Sequence, residues 1–260
     1  MAQKQVLLGK NSHVADSRDL MLSNYIRIPV LLQSDQAPAD PDWQSMPTPD
    51  GSLPAHDNDA LGNDVAGNCV LAGPGHMVNM IGKQVGNPSL NVTAPMALAA
   101  YSKYTGYTPG NKSTDNGWMI RDMLKAWKTD GLYGTKILAY AAVNWKDELE
   151  VALATWISGG LIGGYTLTSE VWDQVDSKGR PQWFVPKSGF GKGIGGHCIY
   201  THGVRNGNTW GESVVWTQDW AAARCDELWM PIVDGWQLAS GLSPNGFAFQ
   251  QLLSDAVARS

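Results

Sequence analysis

The chain is 260 residues long, with 43% hydrophobic and 17% charged residues and a net charge of −5. That length carries one large core or two small ones, and the acidic balance without a Lys/Arg cluster excludes nucleic acid as an expected partner. Three cysteines, an odd and sparse number, argue against a disulfide framework and for a reducing compartment.

In chain order, residues 1–60 read as a lead-in to a domain spanning 61–260. The N-terminus has neither the apolar run nor the cleavage site of a signal peptide, so the cytoplasm is the expected location. No stretch is apolar over the length that a membrane span needs. Ser17 to Ile26 suits a short helix. The Pro-, Asp- and Ser-rich stretch after Gln33 suits extended chain and turns on the surface.

Leu61 to Ala72 (LGNDVAGNCVLA) is the stretch that the rest is organised around. A glycine-punctuated turn feeding an apolar segment sets Cys69 at a helix N-terminus, where free N–H groups and the helix dipole favour a thiolate. The first main helix is expected from Cys69 to Val85, kinked or delayed by Pro74 and its flanking glycines. A second is expected over Ala94 to Thr105. A third runs from Trp118 to Thr129, with Asp115 as its N-cap, and a fourth from Lys146 to Ser158 with Leu149, Leu153 and Trp156 at helical spacing.

After this the texture changes. Gly160 to Leu167 reads as a buried strand, His197 to Val204 as a second, and Val214 to Thr217 and Leu228 to Val233 as further short ones. Helices first and strands later imply an α+β fold with two facing halves. Gly191 to Gly196 fits G-x-G-x-x-G but enters a strand, so a dinucleotide site fails on context and a flap beside a cleft is the better use.

A cysteine at a helix start, His197 at a strand start and a carboxamide to orient the imidazole are the parts of a thiol-nucleophile triad. The imidazole takes the thiol proton, the amide fixes the ring, and backbone and side-chain N–H groups hold the oxyanion. This order resembles the papain-like cysteine peptidases. Gly67-Asn68-Cys69 is similar to that family's Gly-Ser-Cys, and Gly196-His197 to its histidine motif. Asn208-Thr209-Trp210-Gly211 is similar to its Asn-Ser-Trp-Gly, and Asn63 stands where the family carries a glutamine. A closer resemblance is to a papain-like family encoded by bacteriophages and prophages. It is carried by Gly62-Asn63-Asp64, Gly67, Cys69, Ala72, Gly75-His76-Met77, the run from Tyr101 to Gly117, Thr209-Trp210-Gly211 and Asp226-Glu227, over roughly residues 10 to 236.

The resemblance implies a papain-like α+β fold, with a helical half and an antiparallel sheet half flanking a cleft. Cys69 would attack, His197 shuttle the proton, Asn208 orient the ring and Asn63 help hold the oxyanion, with no cofactor and no metal. A hairpin turning at Asn206-Gly207 would instead bring Gln218 or Asp219 beside the histidine. The implied function is a cysteine peptidase or amidase acting on a peptide or protein. The other reading is a phage virion structural or assembly protein, partnered by other virion proteins, that keeps the scaffold without catalysis. The lead-in is short for an inhibitory leader, so prodomain activation is not expected. His76 is expected to be packed and His13 and His56 solvated, and Cys198, His202 and Cys225 lack the close spacing of a zinc site.

Overall fold

A computed structural model describes residues 7–25 and 40–234, together with Ser254. The parts of the expected Ser17 to Ile26 helix and of the proline-rich stretch that fall between 26 and 39 lie outside the described residues. Within them, only a single 3-10 turn, Leu22–Asn24, forms near the expected first helix.

The first long helix, α1 (Cys69–Gln84), begins at the cysteine without delay and continues through Pro74. It is buried from Cys69 to Gly82, as befits a helix that is apolar on every side. Small residues let it lie close to its neighbours. The Cys198 sulfur is 3.2 Å from where a Cβ on Gly73 would stand, and a Cβ on Gly75 would meet Leu61 at 2.6 Å. Helix α2 (Ala94–Thr105) ends at Gly106 in the left-handed region, the glycine C-cap that its sequence calls for.

Helix α3 (Ile120–Thr129) starts two residues later than expected and has no side-chain cap. Asp115 is not its cap. The carboxylate accepts instead from the Gly67 N–H at 3.0 and 3.1 Å and from the Tyr101 hydroxyl at 2.7 Å. Strand β1 (Ile137–Ala142), not foreseen from the sequence, precedes α4 (Glu148–Ser158), whose N-cap Asp147 accepts from the N–H groups of Leu149 and Glu150.

The remaining elements are β2 (Leu161–Thr168), β3 (Gln182–Trp183), β4 (Gly193–Thr201), β5 (Asn206–Thr209), β6 (Glu212–Trp216), α5 (Gln218–Arg224) and β7 (Cys225–Val233). The sheet runs β1-β7-β2-β4-β5-β6-β3, with every pairing antiparallel except β3 with β6. The glycines expected to form a flap are divided, since Gly193, Gly195 and Gly196 belong to β4.

Two apolar clusters follow the expected halves. One gathers α1, α2 and α3 with Ile162, Cys198, Tyr200 and Trp229 from the sheet. The other fills the opposite side with Tyr165, Trp183, Ile199, Trp216 and Trp220. Successive residues of a strand alternate between faces, so β4 sends Cys198 and Tyr200 toward α1 and His197 and Ile199 the other way. The two halves meet along β4.

Candidate functional site

Cys69 opens α1 behind a turn held by three contacts. Asp115 takes the Gly67 N–H, Asn68 Nδ2 donates to the Leu61 carbonyl at 2.9 Å, and Asn63 Nδ2 donates to the Ala66 carbonyl at 3.0 Å. The thiol is buried, and burial pushes its pKa up to about 11 against the weaker pull of the Cys198 and Gly9 backbone N–H groups and the Lys10 ammonium. Those neighbours locate the sulfur. It faces β4 at the step just after His197.

His197 is 1% exposed. Its Nε2 and the Thr209 hydroxyl are 2.5 Å apart, its ring stacks on Trp210 with centroids 4.2 Å apart, and its Nδ1 is buried without a partner. Burial, with a smaller contribution from His76, pulls the imidazole pKa down to about 3. Both groups are therefore neutral near pH 7. Since Nδ1 has no partner, no hydrogen bond joins sulfur to imidazole in this state.

Asn208 does not reach the imidazole. It lies directly opposite Tyr200 in the β4–β5 pairing, and opposed residues share a face, so its side chain leaves on the α1 side. There Nδ2 donates to the Asp57 carbonyl at 2.9 Å. Thr209, one residue on, shares the face of His197. The β4–β5 hairpin turns over residues 202–205, so Asn206 and Gly207 already belong to β5. The next hairpin, β5–β6, turns at Trp210 and Gly211, both at positive φ (51° and 74°), between the paired residues Thr209 and Glu212. A tryptophan in that region is unusual, and the turn is what folds its indole back over His197. Gln218 and Asp219 open α5, where Thr217 accepts from the Trp220 N–H. Neither bonds the imidazole.

Asn63, expected at the oxyanion, has its amide occupied. Nδ2 donates to the Leu7 carbonyl at 3.1 Å as well as to Ala66, and the Asn63 carbonyl accepts from the Leu7 N–H at 3.3 Å. Leu7 belongs to a strap, described over residues 7–11, that threads between the halves. The Gly9 carbonyl accepts from Trp118 at 2.8 Å, the Lys10 N–H donates to Gly196 at 3.1 Å, and the Asn11 N–H donates to Trp118 at 2.9 Å. From the sheet side, the Trp210 indole donates to the Leu7 carbonyl at 3.4 Å.

Glycines make the passage. A Cβ on Gly9 would stand 1.6 Å from the Gly67 oxygen, one on Gly117 would stand 2.1 Å from the Gly9 oxygen, and one on Gly196 would stand 2.3 Å from the Lys10 oxygen. The Lys10 ammonium, itself buried, then enters an acidic pocket between buried Glu227 and partly exposed Asp226. It donates to Asp226 at 3.1 Å and lies 3.5 Å from Glu227.

The strap, Thr209 and the acidic pair were not read from the sequence as site components. Thr209 could have been found from strand parity once the register was known. Nothing in the local sequence marks residues 7–11 as cleft-bound. His76 is packed as expected, with Nδ1 2.9 Å from Asp57. His13, expected in solvent, lies 3.1 Å from Glu227, and His56 is half-buried. Among the described residues no group of three or more His, Cys, Asp or Glu side chains is placed to hold a metal ion, and no helix is long and apolar enough to cross a membrane.

No family model and no curated protein matches this sequence. Its structure is similar to that of xylellain, a cysteine protease from Xylella fastidiosa, with a TM-score of 0.61 and 15% sequence identity. That match covers 89% of this chain and 97% of the other. The fold is the papain-like α+β fold.

Proposed function

We propose that this chain is a thiol hydrolase of peptide or amide bonds, strapped shut in the state described, with Cys69 as nucleophile and His197 as base. The observation that carries the reading is the state of His197. If Nε2 donates to Thr209, the nitrogen left unprotonated is Nδ1, the one with no partner and so the one able to take a thiol proton. In this mechanism Thr209 and Trp210 hold the ring that Asn208 was expected to hold. When the strap leaves, water and charge reach both groups, the burial that keeps them neutral is relieved, and a thiolate–imidazolium pair can form. Attack on a carbonyl carbon then places its oxygen near the N-terminus of α1, with the Asn63 amide freed from Leu7 as a second donor.

The strap does not present itself as a substrate. Its Gly9 N–H, not a carbonyl carbon, approaches the sulfur, and the Leu7 and Gly9 carbonyls are bonded elsewhere. A second reading draws on the raised thiol pKa and the occupied cleft: a structural or assembly protein of a phage particle that retains the scaffold without catalysis.

Thiol labelling separates the two. In the unaltered chain, a pKa of about 11 leaves a thiolate fraction on the order of 10⁻⁴ at pH 7, so Cys69 should label more slowly than free cysteine. Gly9→Val, which the Gly67 carbonyl cannot accommodate, should displace the strap and make Cys69 label faster than free cysteine. The double variant with Cys69→Ala should lose that labelling. A strap-displaced chain whose Cys69 stays no more reactive than free cysteine leaves the scaffold reading.

A further inference from the structure

The pocket that receives Lys10 is more elaborate than a surface ion pair. The Lys10 side chain is 1% exposed and that of Glu227 3%. Each carboxylate takes a further bond, Asp226 on the same oxygen that meets the lysine. Asp226 accepts from the Thr166 hydroxyl at 2.7 Å, while the second oxygen of Glu227 accepts from the Trp229 indole at 2.8 Å and lies 3.1 Å from His13. The floor is Gly164, where a Cβ would stand 2.3 Å from the lysine Cε and 2.7 Å from the Glu227 Cγ. With the lysine and Glu227 seated as they are, a side chain at 164 would displace one or the other. A buried Glu227 carboxylate beside Asp226, whose side chain is 34% exposed, is costly unless a cation fills the channel between them.

The slot one residue earlier is equally selective. Gly9 passes between the backbones at Gly67 and Gly117, with no space for any side chain. Its backbone bonds, to Trp118 and from Lys10 to Gly196, are those an extended peptide of any sequence would make. The side-chain requirements are therefore two: nothing at one position, and an ammonium on a long stem at the next.

We infer that the cleft is a binding site for peptides with a glycine followed directly by a lysine, that Asp226 and Glu227 select the lysine, and that residues 7–11 fill the site as an internal copy of that ligand. This names a ligand class for the cleft of the hydrolase proposed above, held as the strap is with an N–H at the sulfur, and it rests on that reading only for calling the cleft an active site, because recognition of the peptide does not require the sulfur to react. Tethered to the domain, the strap competes at an effective concentration on the order of millimolar, so a free peptide enters only when the strap is weakened.

The test uses the full chain carrying Cys69→Ala, so that nothing is cleaved, with Lys10→Ala to empty the pocket. Capped fluorescent pentapeptides Leu-Leu-Gly-Lys-Asn, Leu-Leu-Gly-Met-Asn and Leu-Leu-Ala-Lys-Asn are titrated by anisotropy. The lysine–glycine peptide is expected to bind at least ~10-fold more tightly than either of the others, and adding Asp226→Asn should remove its advantage over the methionine peptide. The same ranking is expected with Gly9→Val in place of Lys10→Ala, a change that leaves all pocket residues intact. Equal binding of the three peptides, or none, by these folded variants overturns the inference. Binding with the expected ranking by a chain whose Cys69 never becomes reactive keeps the inference and removes the hydrolase. Cleavage by the Cys69-bearing chain that ignores glycine and lysine does the reverse.

Discussion

At the scale of single residues, the parity of one short strand decides the site. Asn208 and Thr209 are neighbours in sequence, yet only Thr209 is on the face of His197, and its hydroxyl meets Nε2. If the chain hydrolyses amides once the strap is displaced, Thr209→Val should lower kcat/KM by roughly 10- to 100-fold, in the range of a mispositioned general base. Asn208→Ala, which loses the bond to the Asp57 carbonyl, should cost about 1 kcal/mol of stability and leave kcat/KM within about threefold. The reverse ranking in steady-state kinetics would restore Asn208 as the orienting residue.

Among the elements, α1 and its entry turn were the most legible. The glycine-punctuated turn, the cysteine at its end and the apolar run predict the helix within a residue at its C-terminus, because the signal is local and strong. What holds the turn was not legible. Asp115 has the spacing of a cap for the following helix, but its oxygens go to Gly67 N–H and Tyr101, 48 and 14 residues away in sequence. Local spacing cannot distinguish a cap from a carboxylate used across the fold. Replacing Asp115 with Ala leaves the buried Gly67 N–H without an acceptor, so a loss of about 1–3 kcal/mol in urea unfolding is expected. A loss near zero would mean that water or a neighbour takes over that N–H.

Over the whole molecule, the α+β arrangement and its two halves followed from helices preceding strands, whereas the strap did not. Residues 7–11 carry no periodicity, and their hydrogen-bond partners lie up to 216 residues away at Asp226, so their place depends on a surface that exists only after the halves have folded. The buried imidazole at the junction has a global consequence. Burial moves His197 from 6.5 to about 3 and shifts His56 in the same direction. As pH falls below about 6.5 the unfolded chain takes up these protons while the folded chain does not, so stability falls by up to about 1.4 kcal/mol per pH unit for each group. Asp57, held at about 2 against its own burial by His76, contributes stability that is complete above 3.8 and is lost only as pH drops toward 2. The urea midpoint should therefore be lower at pH 5 than at pH 7, and His197→Phe, which can keep the stack on Trp210, should flatten that slope. An unchanged slope would place His197 in contact with solvent.

Gly9 admits one further deduction. Sliding the strap by a single residue in either direction would drive Leu8 or Lys10 into a gap that cannot hold even a methyl group. Neighbouring alignments are forbidden, so the segment has one seat and no partial ones. Occupancy must then be binary, and at a pH high enough for chemical exchange to outrun reclosing, isotope exchange at the amides of Lys10 and Trp118 should resolve into two discrete mass populations and not a continuous drift.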